Sequence, residues 1–310
     1  MKLYKMARFG ICAMALSVLL TSFSNLAKAE PPHCESYPSR QLEKNVDFCI
    51  QRSRPDLPPR ANEPVIYFMH GIFRDANFWA VSGYAETIEE FAKKDPNFPS
   101  FTIVSFSTSA LSFFSDSGSL HKGRGSYESW FITEFIPMME KTQSLCHERA
   151  CRLIAGQSMG GFGALKTAFR YPELFSAVAA SSPALPPFNF QESTARFISF
   201  FKRHPIGIIR GLVMLKFAQG IFTTPEYADE NDPSYLARIF PNKARLPQIY
   251  IEMGGKDDYG LQEGYARFTR IMRERHLPYE GHYFKNADHG LYYERRPYFI
   301  RFLADHFQNQ

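Results

Sequence analysis

The stretch RLIAGQSMGG, residues 152–161, decides the fold of this 310-residue chain. Its first four residues predict a short buried strand, and the small residues from Gly161 to Phe169 predict a helix. Between them lies a G-x-S-x-G pattern centred on Ser158. A sharp strand-to-helix turn lifts such a serine hydroxyl above a sheet, and flanking glycines avoid clashes in the strained backbone. The context predicts Ser158 as a nucleophile, against the alternative of a glycine-rich turn that only packs a helix on a sheet.

Apolar runs typical of buried strands alternate with segments of helical spacing on both sides of this turn. Strands are predicted at 65–69, 101–106, 152–155, 176–180, 247–253 and 279–284. Helices are predicted at 86–94, 127–141, 161–169, 262–275 and 297–307. Such alternation favours βαβ units and therefore an α/β fold with a mainly parallel sheet. Pro137 is expected to kink or end the second of these helices.

Two segments fall outside the alternation. Residues 30–62 contain many prolines and predict an irregular surface arm. Residues 183–241 predict a helical insertion, in which Asp232 and Pro233 have the pattern of a helix N-cap and a first-turn proline. Its apolar stretch at 206–222 is too short and too charged to be a membrane span. The insertion is either a lid over a binding site or a plain structural addition.

The N-terminal segment 1–29 has the features of an export signal. Basic residues precede an apolar stretch from Phe9 to Leu20, and residues 27–29 form an A-x-A cleavage pattern. An uncleaved anchor or a buried helix are the alternatives. Without this segment, 32 basic residues face 31 acidic ones, so there is no electrostatic case for nucleic-acid binding. We expect a single mature domain, residues 30–310, without stable membrane insertion, in the periplasm or outside the cell.

Four cysteines remain after removal of the leader: Cys34, Cys49, Cys146 and Cys151. An even number in an exported chain predicts two disulfides. Proximity favours Cys34 with Cys49 and Cys146 with Cys151. A zinc site is the alternative, but the spacing lacks a tight C-x-x-C and no histidine pair accompanies it.

A serine nucleophile needs a base and an acid, and on this type of turn the chain order is Ser, then Asp or Glu, then His. The run GGKDDY directly after a predicted strand supplies adjacent Asp257 and Asp258, between which spacing does not choose. His289, in a loop before the last predicted helix, is the expected base. His276 and His282 have the positions of structural or surface histidines.

The oxyanion hole is expected to use the N–H group of Met159 and a second N–H group after the first buried strand. Gly71 allows a close backbone approach there, so Ile72 is the expected second donor, with Phe73 next. His70 precedes the serine in the chain and is interpreted as a structural histidine beneath this loop.

These motifs resemble the esterase D branch of the α/β-hydrolases, which includes tributyrin and feruloyl esterases, S-formylglutathione hydrolases and mycolyltransferases. The matching residues are His70-Gly71, GQSMGGFGAL at 156–165, Tyr171-Pro172, GKDD at 255–258 and Asp288-His289. The resemblance implies an α/β-hydrolase fold. It also implies Asp258 as the acid, because the acid in such enzymes lies three residues after a glycine, here Gly255. Phe162 stands where S-formylglutathione hydrolases usually carry histidine, so with the export signal a glutathione thioester is not the expected substrate.

The expected function is an exported serine carboxylesterase that forms an acyl-enzyme on Ser158, with Asp258 and His289 completing the triad. A small-molecule or lipid-like ester is the expected partner, and no metal or organic cofactor is implied. One alternative is an acyltransferase that uses the same triad with an alcohol acceptor. The other is a non-catalytic binding protein on a hydrolase scaffold. The 30 phenylalanines and the apolar insertion suggest a hydrophobic acyl or aryl pocket.

Overall fold

One mixed sheet organises the computed structural model, which describes residues 32–117, 125–241, 243–290 and 294–308. Within these ranges the strand order is β1-β2-β4-β3-β5-β6-β7-β8. The strands are β1 (His33–Ser39), β2 (Lys44–Arg52), β3 (Val65–Met69), β4 (Thr102–Phe106), β5 (Arg152–Gln157), β6 (Ala177–Ser181), β7 (Gln248–Gly254) and β8 (Glu280–Phe284). Pairing is antiparallel from β1 to β4 through β2 and parallel across the rest of the sheet. The predicted α/β fold with a mainly parallel sheet is confirmed.

Helices cover both faces of the sheet. They are α1 (Phe78–Val81), α2 (Tyr84–Lys94), α3 (Tyr127–Trp130), α4 (Ile136–Thr142), α5 (Met159–Arg170), α6 (Thr194–Phe201), α7 (Gly207–Ile221), α8 (Pro225–Asn231), α9 (Pro233–Ile239), α10 (Leu261–Glu274) and α11 (Arg296–Gln308). Every residue of β3, β4, β5 and β6 is buried. This double burial explains why these strands are continuous apolar runs in the sequence rather than alternating ones.

The prediction of an irregular arm at residues 30–62 was wrong for most of this segment. Residues expected to form an irregular arm form the β1–β2 hairpin, and β2 extends the sheet by pairing with β4. In β2, Val46 and Phe48 are buried while Asp47 between them is exposed, as expected for a strand with one face on the core. Pro38 lies in the edge strand β1, where the lack of an N–H group is tolerated. The predicted export signal, residues 1–29, lies outside the described residues.

The cysteines pair as their proximity in the sequence predicts. Cys34 lies opposite Cys49 in the register of β1 and β2, and the two form a disulfide. Cys146 and Cys151 form the other, just before β5.

The helix does not end at Pro137, one of the two outcomes expected there. A π-helical turn, Phe131–Phe135, joins α3 to α4, and Pro137 lies in the first turn of α4. Proline lacks an N–H group and clashes with the carbonyl four residues earlier in a regular helix. The wider turn just before it accommodates this proline, so the helical path continues to Thr142.

The insertion between β6 and β7 is helical, as predicted, and comprises α6 to α9. Asp232 caps α9 by accepting the N–H of Ser234, with Pro233 in the first turn. Phe197, Phe200, Phe201 and Leu215 form an apolar cluster between α6 and α7. Among the described residues, no helix is long and apolar enough to cross a bilayer.

Candidate active site

Ser158 occupies the turn between β5 and α5 with a left-handed backbone (φ 56°, ψ −117°). Its N–H donates to the carbonyl of Ser181 on the neighbouring strand (2.9 Å). A Cβ atom at Gly156 would lie 2.3 Å from the carbonyl oxygen of Gly160, and one at Gly160 would lie 1.9 Å from that of Met69. The G-x-S-x-G spacing is therefore a steric requirement of this turn.

A hydrogen-bonded chain runs from this serine to a histidine and a carboxylate. His289, in the loop between β8 and α11, places Nε2 2.9 Å from Ser158 Oγ. Its Nδ1 lies 2.7 Å from Oδ2 of Asp257. Both distances allow hydrogen bonds, and a hydroxyl, an imidazole and a carboxylate in this order can activate the hydroxyl as a nucleophile.

The carboxylate beside His289 is that of Asp257 and not that of Asp258, the acid expected from the sequence. The Asp257 side chain is fully buried, and its Oδ1 accepts the backbone N–H groups of Tyr259 (2.9 Å) and Leu261 (3.3 Å). Asp258 is exposed, and its backbone carbonyl accepts the N–H of Ile206 (2.9 Å). The loop turns back at Asp257 to begin α10, so the first carboxylate points inward and the second points to solvent.

The two expected oxyanion donors flank Ser158 at the same cavity. Met159 is the first residue of α5, so its N–H has no intrahelical acceptor. Ile72 lines the cavity together with Ser158 and Met159. The alternative donor, Phe73, already gives its N–H to the carbonyl of Ala110 (3.1 Å). This contact favours Ile72 over Phe73, and the role of both donors stays a prediction.

His70 supports this loop from below. Its Nδ1 lies 2.7 Å from the carbonyl of Gly71, and its Nε2 accepts the N–H of Thr108 (3.2 Å). Because a carbonyl only accepts and an amide N–H only donates, the ring is neutral with its proton on Nδ1. Burial lowers the pKa of His70, which favours the same neutral form. His70 thereby ties the loop after β3 to the loop after β4.

Two residues that the sequence analysis missed also hold the site. The ring of Tyr259 packs against the ring of His289 edge to face, with centroids 4.6 Å apart. Glu252, buried in β7, accepts hydrogen bonds from Ser181 Oγ (2.6 Å) and Tyr250 Oη (2.7 Å), and burial raises the pKa of its carboxyl. Ser181 is the residue whose carbonyl receives the N–H of Ser158. A lone charge inside an apolar strand was the signal for Glu252.

An apolar cavity of about 90 Å³ opens at Ser158 beneath the insertion. The insertion contributes α6 and α7 to its wall, so these helices cover the nucleophile. Its lining side chains are Ile72, Phe113, Ser158, Met159, Ala184, Pro186, Pro187, Phe190, Phe197, Phe200, Phe201, Ile206, Met214, Leu215, Ala218, Tyr259 and Leu261. Across the described part of the chain, no group of three or more His, Cys, Asp or Glu side chains is placed to hold a metal ion.

Comparison with known proteins agrees with this geometry. A family model described as "Putative esterase" matches residues 39–308. The S-formylglutathione hydrolase of Bos taurus is 23% identical over 301 residues, which cover 87% of this chain and 90% of that protein.

Solved structures share the fold. A ferulic acid esterase aligns with a TM-score of 0.66 at 21% identity, over 89% of this chain and 98% of its own. An S-formylglutathione hydrolase from Agrobacterium tumefaciens aligns with a TM-score of 0.69 at 17% identity, over 91% and 97% of the two chains. At such identities the likeness establishes the fold alone, whereas the family match extends over most of the sequence. The chain therefore belongs to the esterase family and is a serine hydrolase of the α/β-hydrolase fold that acts on ester bonds.

Proposed function

We propose that this protein is an exported carboxylesterase that hydrolyses its substrate through an acyl-enzyme on Ser158. The hydrogen-bonded chain from Ser158 through His289 to the buried Asp257 is the observation that carries the proposal.

In the first step His289 Nε2 removes the Ser158 proton while Oγ attacks the ester carbonyl carbon. Asp257 keeps the proton of His289 on Nδ1 and stabilises the imidazolium that forms. The carbonyl electron pair moves to oxygen, where the N–H groups of Ile72 and Met159 stabilise the oxyanion. One such donor contributes about 10²–10³ in rate.

The tetrahedral intermediate then collapses and its bond to the alcohol oxygen breaks. His289 Nε2 gives its proton to the departing alcohol, and the acyl group remains on Ser158. A water molecule repeats the sequence, with His289 again as base, and releases the carboxylic acid.

The cavity next to Ser158 indicates the class of acyl group. Its wall is almost entirely apolar and its volume is about 90 Å³, below the roughly 150 Å³ of an engineered apolar cavity that holds benzene. An uncharged, short acyl group fits this space.

Export is supported by the leader-like segment 1–29 and by the two disulfides. Disulfides persist in oxidising compartments and are rare in the cytosol. The mass of the protein recovered from the periplasm or medium of an expressing bacterium tests this proposal. Processing before Glu30 supports export, and an intact N-terminus in the cytosolic fraction refutes it.

The esterase proposal is tested with p-nitrophenyl esters from acetate to palmitate. The protein beginning at Glu30 is expected to prefer the short chains. Ser158→Ala is expected to lose activity by on the order of 10⁶-fold in kcat, because the nucleophile is removed. Labelling of Ser158 by a fluorophosphonate is the second readout. If no ester is hydrolysed and Ser158 is not labelled, the proposal is refuted. Transfer of the acyl group to an added alcohol in place of water would instead show an acyltransferase.

A further inference from the structure

A second, largely apolar depression, here called the outer groove, lies beside the cavity, and the charged residues Arg210 and Asp258 are part of its lining. Its volume is about 570 Å³, and helix α7 lines it with Ile209, Val213 and Phe217. Phe73 and Leu111 form part of the opposite wall. Ile209 is 81% exposed and Phe73 70% exposed. Contiguous exposed apolar side chains on a folded protein indicate a binding site.

Helix α7 is apolar on two sides for two different reasons. Leu215 and Ala218 are buried toward the cavity. Ile209, Val213 and Phe217 follow one another at four-residue spacing and therefore form a single stripe along the outer side. The inner side is explained by packing. No element among the described residues covers the outer stripe, so its exposed apolar side chains indicate that a ligand binds there.

The backbone at Phe73 supports the same conclusion. Phe73 has a left-handed conformation (φ 56°), which is uncommon for a bulky residue and persists only where the surroundings hold it. The hydrogen bond from its N–H to Ala110 holds it here. The result is an aromatic side chain kept in solvent at the edge of the groove, one residue from the expected oxyanion donor Ile72.

The groove is continuous with the site. Ile206, Met214 and Tyr259 line both the cavity and the outer groove. Ser158 and the two expected oxyanion donors line the cavity and not the groove. A substrate whose carbonyl carbon lies at Ser158 can therefore extend from the cavity into the groove past these three side chains.

The chemistry decides which half of an ester lies in the groove. The leaving alcohol must receive a proton from His289 Nε2, so the alcohol lies on the His289 side of the carbonyl. Tyr259, which packs on His289, lies where the cavity meets the groove, and its neighbour Asp258 lines the groove alone, so the groove is reached from the His289 side. The acyl group lies with the nucleophile and the expected oxyanion donors, inside the cavity.

We propose that the outer groove binds a hydrophobic chain of the alcohol part of the substrate. The substrate class is then a short acyl group esterified to a larger, lipid-like alcohol. This inference rests on the proposed esterase function and adds the chemistry of the leaving group to it.

The test compares two butyrate esters, ethyl butyrate and octyl butyrate, below and then above the concentration at which octyl butyrate aggregates. The oligomeric state of each variant is measured by size-exclusion chromatography. The measured quantity is the ratio of kcat/KM for the octyl ester to kcat/KM for the ethyl ester. Phe217→Ser and Ile209→Ser are each expected to lower this ratio about 10-fold, since each removes an apolar wall that the octyl chain would bury. Ile239→Ser is the matched control, because Ile239 is 52% exposed on α9 and lies outside the groove.

The outcomes separate the proposal from its foundation. Equal ratios in the wild type and both groove variants, with ethyl butyrate cleaved, overturn the groove assignment and leave the esterase function standing. No hydrolysis of any ester and no fluorophosphonate labelling overturn both. A preference for the octyl ester that arises only above its aggregation point assigns the stripe to a lipid surface, and a dimer lost in the groove variants assigns it to a second copy. Either result overturns the alcohol-chain proposal.

Discussion

Replacing each of the two adjacent aspartates by asparagine distinguishes the buried acid from its exposed neighbour. In Asp257→Asn the amide oxygen is expected to occupy the position of Oδ1, where it accepts the N–H groups of Tyr259 and Leu261. The amide NH₂ group then faces His289 Nδ1. Nδ1 must accept this bond, so the imidazole proton moves to Nε2, which can no longer accept the proton of Ser158.

The size of the loss follows from the two backbone N–H groups. Rotating the new side-chain amide by 180° would let His289 keep its proton on Nδ1. It would also leave the N–H groups of Tyr259 and Leu261 facing an NH₂ group, which cannot accept them. Each such unsatisfied donor costs about 1–3 kcal/mol. Together they amount to about 2–6 kcal/mol, or a loss of roughly 30-fold to 10⁴-fold in rate. Serine hydrolases in which the acid is replaced by an amide lose about 10⁴ in kcat, so we expect the upper end of this range.

Asp258→Asn is the matched control. It removes an exposed charge, an effect worth about 1 kcal/mol or less, so kcat should stay within about 5-fold of the wild type. Hydrolysis of p-nitrophenyl butyrate and the rate of fluorophosphonate labelling are measured for both variants, with circular dichroism to check folding. If Asp258→Asn loses more than about 10²-fold while Asp257→Asn stays within about 5-fold, the assignment of Asp257 is refuted.

Three further predictions concern stability. The pKa of His70 is lowered below its ordinary value near 6.5, so its contribution to the free energy of unfolding is complete above that pH and is lost as the pH falls below it. The urea midpoint should therefore fall more steeply from pH 7 to 5 in the wild type than in His70→Asn. Equal pH dependences of the two midpoints would contradict this. The double variant Cys34→Ser/Cys49→Ser opens a cross-link spanning 15 residues and should lose about 3 kcal/mol in urea unfolding, whereas an unchanged midpoint would mean that the hairpin holds without it. Lys166→Met should lose about 3–5 kcal/mol, since Lys166 Nζ lies fully buried 2.8 Å from Glu128 and its removal leaves a buried carboxylate; a loss below about 1 kcal/mol would show that Arg170 compensates.

The sequence predicts the centre of the sheet better than its N-terminal edge. Strands such as β3 and β5 are recognisable because both of their faces are buried, which demands continuous apolar residues. The β1–β2 hairpin has one exposed face, and Pro38 within β1 is typical of an irregular segment. Only the pairing of β2 with β4 makes this region a strand, and that pairing depends on contacts between residues distant in sequence.

The pairing of Ser158 with His289 is likewise predictable from the sequence, whereas the choice of Asp257 as the carboxylate beside His289 is not. The glycines around Ser158 are a local steric requirement, so a short motif reveals them. Asp257 and Asp258 have the same chemistry and neighbouring positions, and their difference lies in which carboxylate the loop turns inward. The backbone N–H groups of Tyr259 and Leu261, which Asp257 Oδ1 accepts, fix that direction. A count of three residues from Gly255 gives Asp258, one position after the aspartate that lies beside His289.

Helix α7 of the insertion lines both the cavity and the outer groove, and its sequence alone indicates neither of these positions. A helix that is apolar nearly all round is normally buried in a core or spans a membrane, whereas α7 carries Arg210 and Lys216 and exposes one apolar stripe. Its inner side closes the cavity over Ser158 with Leu215 and Ala218, while its outer stripe forms the groove. In the proposed complex the inner side of α7 contacts the acyl group and the outer stripe contacts the alcohol, on the two sides of the same scissile bond. If the groove binds the alcohol chain, the apolar character of both the inner side and the outer stripe follows from the substrate, because a helix between two hydrophobic halves of an ester must be hydrophobic toward each of them.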